Sequence, residues 1–338
     1  MNMKEAKFYS NLIEDKILCE TCPRGCIIPE NKYGFCRAYY NKSGKLYNVL
    51  YGEIASLALD TIEKKPLFHF YPGSKILSVG TNGCNLRCQF CQNWELVEGN
   101  NPTNNISSEV LLELAKRYDS IGIAFTYNEP TISFEFVYDT FKLFKERGLK
   151  TVLVTNGYIN EKPLLNLLTV VDALNIDLKS IKGDFYKKIC KGSIEPVKRS
   201  IKLSYEQSFV EVTNLIIPTL NDTKEEFLEL RDFIANISPD IPLHLSRYFP
   251  NYKLTIPETP IETLLVAFDI MKEKLNYVYI GNAMIDGKEN SYCPNCGNLL
   301  VNRIGYSVDI IGITKDVRCS KCNIKVPFII SSSNYLSL

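Results

Sequence analysis

Between residues 53 and 285, short apolar runs alternate with longer amphipathic runs, and this alternation limits the possible folds more than any other feature of the chain. The apolar runs have the length and β-branched content of buried strands, whereas the amphipathic runs repeat their apolar residues at helical spacing. Strands and helices that alternate in this way form a parallel sheet with right-handed crossovers. About six repeats are too few to close an eightfold barrel. We therefore predict an α/β fold with an open, partial (β/α)6 barrel.

The predicted strand ends indicate where a ligand site would lie. We predict strands at residues 75–80, 121–126, 151–155, 174–177, 209–217, 242–247 and 277–280, and helices at residues 107–118, 131–146, 223–236 and 260–274. In a parallel βα fold the reactive groups lie at the C-terminal ends of the strands. Polar side chains that follow these strands are therefore the candidates for binding and catalysis.

Three cysteines, Cys84, Cys88 and Cys91, follow the predicted strand 75–80. Their spacing allows one short loop to wrap an iron–sulfur cube, which takes four thiolates in an electron carrier. With three thiolates, one iron keeps an open position for a ligand that is not protein. The alternative interpretation is a zinc site or a loop without metal.

Two further cysteine sets flank the predicted barrel and indicate metal-binding modules at residues 1–52 and 286–338. The first set suits a closed four-thiolate site, for which Zn²⁺ and a second iron–sulfur cluster remain alternatives. The second set consists of two CxxC pairs around a strand-rich insert, which is typical of a zinc ribbon that binds Zn²⁺. The first set is Cys19, Cys22, Cys26 and Cys36, and the second is Cys293, Cys296, Cys319 and Cys322.

Charge and composition argue against several classes of partner. The formal net charge is +1, so neither nucleic acid nor a membrane surface is expected as a bulk electrostatic partner. No run resembles a signal peptide or a membrane span, and we expect a soluble, cytoplasmic protein. The twelve cysteines then indicate metal ligation rather than disulfides. An exposed cube with an open iron is oxygen-labile, so we expect an anaerobic or microaerobic host.

The chain contains two histidines, His69 and His244. His69 precedes the predicted strand 75–80, and we expect it to be structural. His244 lies in the predicted strand 242–247, which ends at Arg247. We predict that His244 and Arg247 are catalytic residues that face the substrate.

The CxxxCxxC motif directly after a strand resembles the radical S-adenosylmethionine (SAM) superfamily. The resemblance implies that Cys84, Cys88 and Cys91 hold a [4Fe–4S] cluster whose open iron chelates the amine and carboxylate of SAM. It also implies reductive cleavage of SAM to a 5′-deoxyadenosyl radical that abstracts hydrogen from a substrate, which makes the protein an oxidoreductase. An electron donor such as ferredoxin or flavodoxin would be required.

The resemblance also implies which residues contact SAM. The sequence Tyr-Asn-Glu-Pro at 127–130 stands where the superfamily usually has Gly-Gly-Glu-Pro. The segments 155–157 and 177–179 resemble the pyruvate formate-lyase activating-enzyme branch, where they line SAM. Asp177 and Lys179 alternate to one face of a strand, so both can reach a ribose or a carboxylate. The implied SAM contacts are Phe90, Tyr127, Asn128, Glu129, Thr155, Asn156, Asp177, Lys179 and Asn221.

Four motifs in order resemble the radical SAM member of the AmmeMemoRadiSam system, namely 19–26 with 34–37, 63–70, 91–93 and the C-terminal ribbon. This resemblance implies association with Memo-like and AMMECR-like proteins and names no substrate. Three hypotheses remain open at this point. They are a radical SAM enzyme with an unidentified substrate, an activase that installs a glycyl radical in a partner, and a non-enzymatic metal-cluster scaffold or adaptor.

Overall fold

The computed structural model describes residues 3–99 and 101–330. At its centre lies an eight-stranded sheet whose strands are neighbours in chain order. The first strand is antiparallel to the second, and the other seven strands are parallel. The strands are β1 (Ser56–Thr61), β2 (Lys75–Gly80), β3 (Gly122–Phe125), β4 (Lys150–Thr155), β5 (Ala173–Asp177), β6 (Phe209–Ile216), β7 (Leu243–Arg247) and β8 (Val278–Gly281).

Six helices connect the parallel strands β2 to β8, which confirms the predicted α/β fold. Within the described residues no backbone pairing joins β8 to β1, so the sheet is open. The antiparallel β1 and the helices α3 and α4 were not predicted. The helices are α1 (Ser108–Arg117), α2 (Phe134–Glu146), α3 (Glu161–Leu168), α4 (Glu195–Gln207), α5 (Lys224–Ala235) and α6 (Ile261–Lys272).

The helices cover the sheet with one apolar face each. In α2, Phe134, Val137, Phe141 and Phe144 recur at helical spacing and are fully buried. All four residues of β3 are buried, as expected of a parallel strand with both faces covered. The resulting core fixes the strands and therefore the positions of the loops at their C-terminal ends.

The N-terminal region forms two small antiparallel sheets around a core of its own. The buried carboxylate of Glu135 joins this region to α2, because it accepts hydrogen bonds from the Lys7 backbone (2.9 Å), Asn48 (2.8 Å) and Tyr39 (3.3 Å). The strands of the first sheet are Lys4–Glu5, Tyr39–Lys42 and Lys45–Asn48, and those of the second are Tyr9–Asn11, Ile17–Cys19 and Ile27–Ile28.

The C-terminal region forms a three-stranded antiparallel sheet that packs against the segment before β2. Backbone hydrogen bonds join Ile329 to His69 (2.8 Å) and Tyr71 (2.7 Å). The buried Arg303 donates to the carbonyl oxygen of Phe68 (2.6 Å). These contacts fix residues 66–71 between the C-terminal sheet and the central sheet. The three strands are Ser291–Tyr292, Leu299–Ile304 and Ser307–Ile310.

Several short elements complete the fold. The predicted helix 131–146 begins as a 3-10 turn before α2, and a π-helical turn follows β5. The short elements are Ile62–Lys64, Pro130–Ser133, Trp94–Glu98, Gly183–Phe185, the π-helical Tyr186–Cys190 and the strand pair Glu53–Ile54 with Asn104–Asn105.

The outer ends of the predicted 1–52 and 286–338 modules, residues 1–2 and 331–338, lie outside the described residues. The module boundaries stay a prediction. Among the helices in residues 3–99 and 101–330, none combines the length and the apolar character that a membrane crossing requires.

Candidate active site

A cavity of about 630 Å³ opens at the C-terminal ends of the parallel strands. It brings together the three cysteines of the CxxxCxxC loop and eight of the nine predicted SAM contacts. The predicted residues that line it are Cys84, Cys88, Phe90, Cys91, Tyr127, Asn128, Glu129, Thr155, Asn156, Asp177 and Lys179.

The cysteine loop leaves β2 and is held from two sides. On one side the Arg87 and Gln89 amides donate to the carbonyl oxygens of Cys190 (2.9 Å) and Ile189 (3.2 Å) in the π-helical turn. On the other side Gly83 has a φ of 88°, and a Cβ there would lie 2.5 Å from the Cys36 carbonyl oxygen. Only glycine fits this close approach, so the loop packs directly on the N-terminal region.

The three thiols of the loop are sheltered from water. Burial raises the pKa of Cys84 above its ordinary range and that of Cys91 to about 11. A hydrogen bond with Cys190 and burial raise the pKa of Cys88. Such thiols stay protonated until a metal displaces the proton, because a coordinated thiol is deprotonated outright. Cys190, which the sequence gave no reason to assign, lies beside this set and is fully buried.

Glu129 connects the ends of β3 and β4. Its carboxylate accepts hydrogen bonds from the hydroxyls of Thr131 (2.6 Å) and Thr155 (2.8 Å) and from the Asn156 amide (2.7 Å). Burial raises its pKa despite these donors. Sequence reasoning proposed Glu129 as a SAM contact, and the structure adds a positioning role for two strand ends.

Asn156, directly after β4, links the end of this strand to the loop that contains Cys84, Cys88 and Cys91. Its side-chain amide donates to Asn85 Oδ1 (2.9 Å) and lies 3.7 Å from Cys84 Sγ, while its Oδ1 accepts from the Tyr158 amide (2.8 Å). The Cys84 thiol is therefore positioned by the end of β4 as well as by its own loop.

Tyr127 and Asn128 form the turn that follows β3. Tyr127 has a φ of 71°, a left-handed conformation that costs a residue with a Cβ roughly 1–2 kcal/mol. Asn128 accepts from the Thr81 amide (3.2 Å) and donates to the Gly83 carbonyl (2.9 Å), so its side chain holds the cysteine loop.

An ion pair that sequence reasoning missed lies in the cavity wall. Lys65, 1% exposed, places Nζ 2.7 Å from Asp60 Oδ2, and Tyr127 Oη donates to the same oxygen (2.6 Å). Burial opposes ionisation of Asp60, but the hydrogen bonds from Lys65 and Tyr127 hold its pKa below the ordinary range. Two adjacent lysines before Pro66 were the only signal in the sequence.

Asp177 and Lys179 lie on the same side of the cavity, as predicted from their alternation. Lys179 Nζ lies 3.1 Å from Asp177 Oδ2 and 5.6 Å from the ring centre of Phe90. Burial alone would lower the pKa of Lys179, but the charge of the Asp177 carboxylate raises it well above the ordinary value. This corner of the cavity can therefore offer both charges to a ligand.

Three predicted site residues lie outside the cavity lining. Asn221 donates to the carbonyl oxygens of Lys179 and Leu215 (both 2.8 Å) and accepts from the Ile217 amide (2.6 Å), so it holds the loop after β6. Arg247 donates to the Thr259 carbonyl (2.8 Å). Their polar groups serve the fold and not the cavity.

His244, predicted to face the substrate, is the third of these residues. Its Nε2 lies 2.6 Å from Oε2 of the fully buried Glu211, and its ring packs on Phe68. Glu211 Oε1 accepts from the His69 amide (2.8 Å). His69 is structural, as expected, with Nε2 2.6 Å from Tyr279 Oη. Both histidines therefore belong to the packing of residues 66–71.

The C-terminal cysteines Cys293, Cys296, Cys319 and Cys322 form a compact cluster. Their Sγ atoms lie within 4.8 Å of one another, with 3.5 Å between Cys293 and Cys322 and 3.7 Å between Cys296 and Cys319. Backbone donation from Ile324 lowers the pKa of Cys322 to about 6. This geometry fits one metal ion held by four sulfurs.

The part of the chain that forms most of the cavity resembles a known protein family. Residues 78–234 match the family model described as the Radical SAM superfamily. The pyruvate formate-lyase-activating enzyme of Clostridium pasteurianum is 30% identical over 164 residues, which cover 46% of this chain and 67% of that protein. The chain belongs to the radical SAM superfamily. As a radical SAM protein, it is expected to bind a [4Fe–4S] cluster and SAM.

Two further similarities cover more of the chain. An uncharacterized protein of Methanocaldococcus jannaschii is 46% identical over 336 residues, which cover 97% of this chain and all of that protein. The crystal structure of a radical SAM methyltransferase from Sphaerobacter thermophilus is 16% identical, with a TM-score of 0.50 over 68% of this chain and 71% of that one. At this identity the second similarity supports the fold alone.

Proposed function

We propose that the protein cleaves SAM reductively at a [4Fe–4S] cluster held by Cys84, Cys88 and Cys91, and abstracts hydrogen from a substrate in the same cavity. The observation that carries the proposal is that three thiols and the polar ends of β3, β4 and β5 line one cavity. When bound, the cluster and SAM supply a 5′-deoxyadenosyl radical, and the protein supplies position and shelter.

The residues present fit both groups. Three thiols on one loop, two of them buried and that of Cys91 partly buried, leave one iron of a cube without a protein ligand. Asp177 and Lys179 can hold the ribose hydroxyls and the carboxylate of SAM. The ring of Phe90 lies beside Lys179. Glu129 positions the strand ends and adds a carboxylate near which the SAM amino group can lie. The buried walls keep water from the substrate carbon.

We propose the finer features on the resemblance described above. The open sheet is a partial (β/α)6 barrel, and the C-terminal cluster is a zinc ribbon that binds Zn²⁺. The protein is the radical SAM member of an AmmeMemoRadiSam system and acts with Memo-like and AMMECR-like proteins. It works in an anaerobic cytoplasm with ferredoxin or flavodoxin as electron donor.

A glycyl-radical activase is the second candidate, because activating enzymes are among the relatives. This candidate predicts that the reduced protein and SAM generate a glycyl radical in a partner enzyme, detected by electron paramagnetic resonance (EPR). A reaction that consumes SAM with a non-glycyl substrate would exclude it.

The test of SAM cleavage uses anaerobically reconstituted, reduced protein and measures 5′-deoxyadenosine. We expect product from the native protein, none from Cys88→Ala, and product from Cys296→Ala, which removes a thiol outside the cavity. Absence of product from native protein with an intact cluster, with partner proteins and donors added, would favour the scaffold hypothesis.

A further inference from the structure

The four N-terminal cysteines line a second, separate cavity. Cys19 and Cys36 are buried, and Cys22 and Cys26 are partly buried. The rest of the lining is mostly apolar or hydroxyl-bearing, and it includes no carboxylate or histidine. The lining residues are Cys19, Thr21, Cys22, Arg24, Cys26, Ile28, Gly34, Cys36, Tyr39, Asn85, Thr131 and Ile132. Sulfur is therefore the metal-binding donor that this cavity offers.

The spacing of these thiols differs from that of the C-terminal cluster. Sulfurs bound to one Zn²⁺ at about 2.3 Å lie within about 4 Å of one another. Across the described residues, the C-terminal cysteines are the one group of three or more potential ligands whose atoms all lie within 4.8 Å. No three of the N-terminal sulfurs meet this criterion, and neither do the sulfurs of Cys84, Cys88 and Cys91. Wide spacing is what a cube requires, because each thiolate binds a different corner iron.

We propose that Cys19, Cys22, Cys26 and Cys36 hold a second [4Fe–4S] cluster rather than Zn²⁺. With four thiolates, every iron of this cluster has a protein ligand, so it has no open position for SAM. The proposal rests on the two cavities and their sulfur spacing, and it does not depend on the proposed function.

The second cluster would lie directly behind the SAM-cluster loop. Asn85, which follows Cys84, lines the N-terminal cavity and is within hydrogen-bonding reach of the Cys22 thiol. Arg24 donates to the Asn85 carbonyl oxygen, and Gly83 packs against the Cys36 carbonyl. Gly83 and Asn85, the two neighbours of Cys84 in the sequence, therefore both contact the proposed second cluster site.

The test counts metals in the full-length protein after anaerobic reconstitution with iron and sulfide. We expect about eight iron and eight sulfide per chain in the native protein and about four of each in the triple variant Cys84→Ala, Cys88→Ala, Cys91→Ala. That variant should keep the Mössbauer spectrum of a four-thiolate cluster and show no EPR change when SAM is added. Zinc should be about one per chain in both proteins, because only the C-terminal cluster would hold it.

Two matched variants locate the clusters. The double variant Cys22→Ser, Cys26→Ser leaves two N-terminal thiols and should lower iron to about four per chain without changing zinc, whereas Cys296→Ser should lower zinc and leave iron unchanged. If the double variant does not fold, the metal content of the native protein still tests the proposal. About four iron and two zinc per chain in the native protein, or no iron in the triple variant, would overturn the proposal.

Discussion

At the residue scale, Asn156 links the end of β4 to the first cluster thiol through Asn85. Replacing it with alanine removes a donor 2.9 Å from Asn85 Oδ1 and an acceptor for the Tyr158 amide. We expect Asn156→Ala to destabilise the loop by about 1–3 kcal/mol, because buried groups lose their partners. Iron should be lost faster to a chelator than in the native protein or in the exposed control Asn11→Ala. Equal rates of loss would contradict this role.

Asp60 and Lys65 allow a prediction on pH. Asp60→Asn leaves the buried Lys65 without its counter-ion and should destabilise the protein by about 3–5 kcal/mol at neutral pH. The pKa of Asp60 is lower in the folded protein than in the unfolded chain, so its contribution is present above the ordinary aspartate range and lost as pH falls through the folded-state pKa.

The measurement is urea unfolding followed by circular dichroism over a series of pH values. The stability gap between native protein and Asp60→Asn should narrow as the solution becomes more acidic. A gap that stays constant with pH would show that the loss comes from packing and not from charge.

Residue types at strand ends were predictable from the sequence, but their partners were not. Asp177 and Lys179 share a side of the cavity because alternation along a strand is local geometry. The contact between Tyr127 and Asp60 joins positions 67 residues apart across β1, an edge strand that was not predicted. Likewise, no local signal shows that Glu211 faces His244, because that pairing depends on the register of β6 and β7.

At the element scale, β6, β7 and the 66–71 segment meet around Glu211. We expect His244→Leu to lower stability by about 1–3 kcal/mol, because Glu211 loses its hydrogen-bond partner at 2.6 Å. If His244 has this structural role, the folded variant should still cleave SAM at the native rate. The readouts are urea unfolding and 5′-deoxyadenosine formation on matched amounts of cluster. Loss of cleavage with unchanged stability would restore the catalytic role.

The predicted bounds of several strands and helices agree closely with the observed bounds. β2 was predicted at its observed residues, and α5 and α6 within a few residues of their observed ends. The missed α3 has eight residues, too few for a clear helical period, and β1 alternates partly buried and exposed positions at an edge of the sheet. Short or half-exposed elements leave a weak hydrophobic pattern.

At the scale of the whole molecule, two of the C-terminal cysteines, Cys293 and Cys319, share a core with Phe68 and with Tyr279 of β8. Removing the metal proposed for this cluster with a chelator should loosen residues 66–71 and lower the melting temperature by several degrees, roughly the effect of 1–2 kcal/mol. Hydrogen exchange should increase in residues 66–71 and 291–310. Unchanged exchange in residues 66–71 would show that the C-terminal region does not support the central sheet.

The central claim is that three thiols leave one iron of the cluster open to SAM. The most direct measurement is electron–nuclear double resonance of the reduced protein with SAM labelled with ¹⁵N at its amino group. We predict a ¹⁵N coupling to the cluster in the native protein and in Cys22→Ser, and none in Cys88→Ala. A native protein with an intact, reduced cluster and bound SAM but no ¹⁵N coupling would contradict the account.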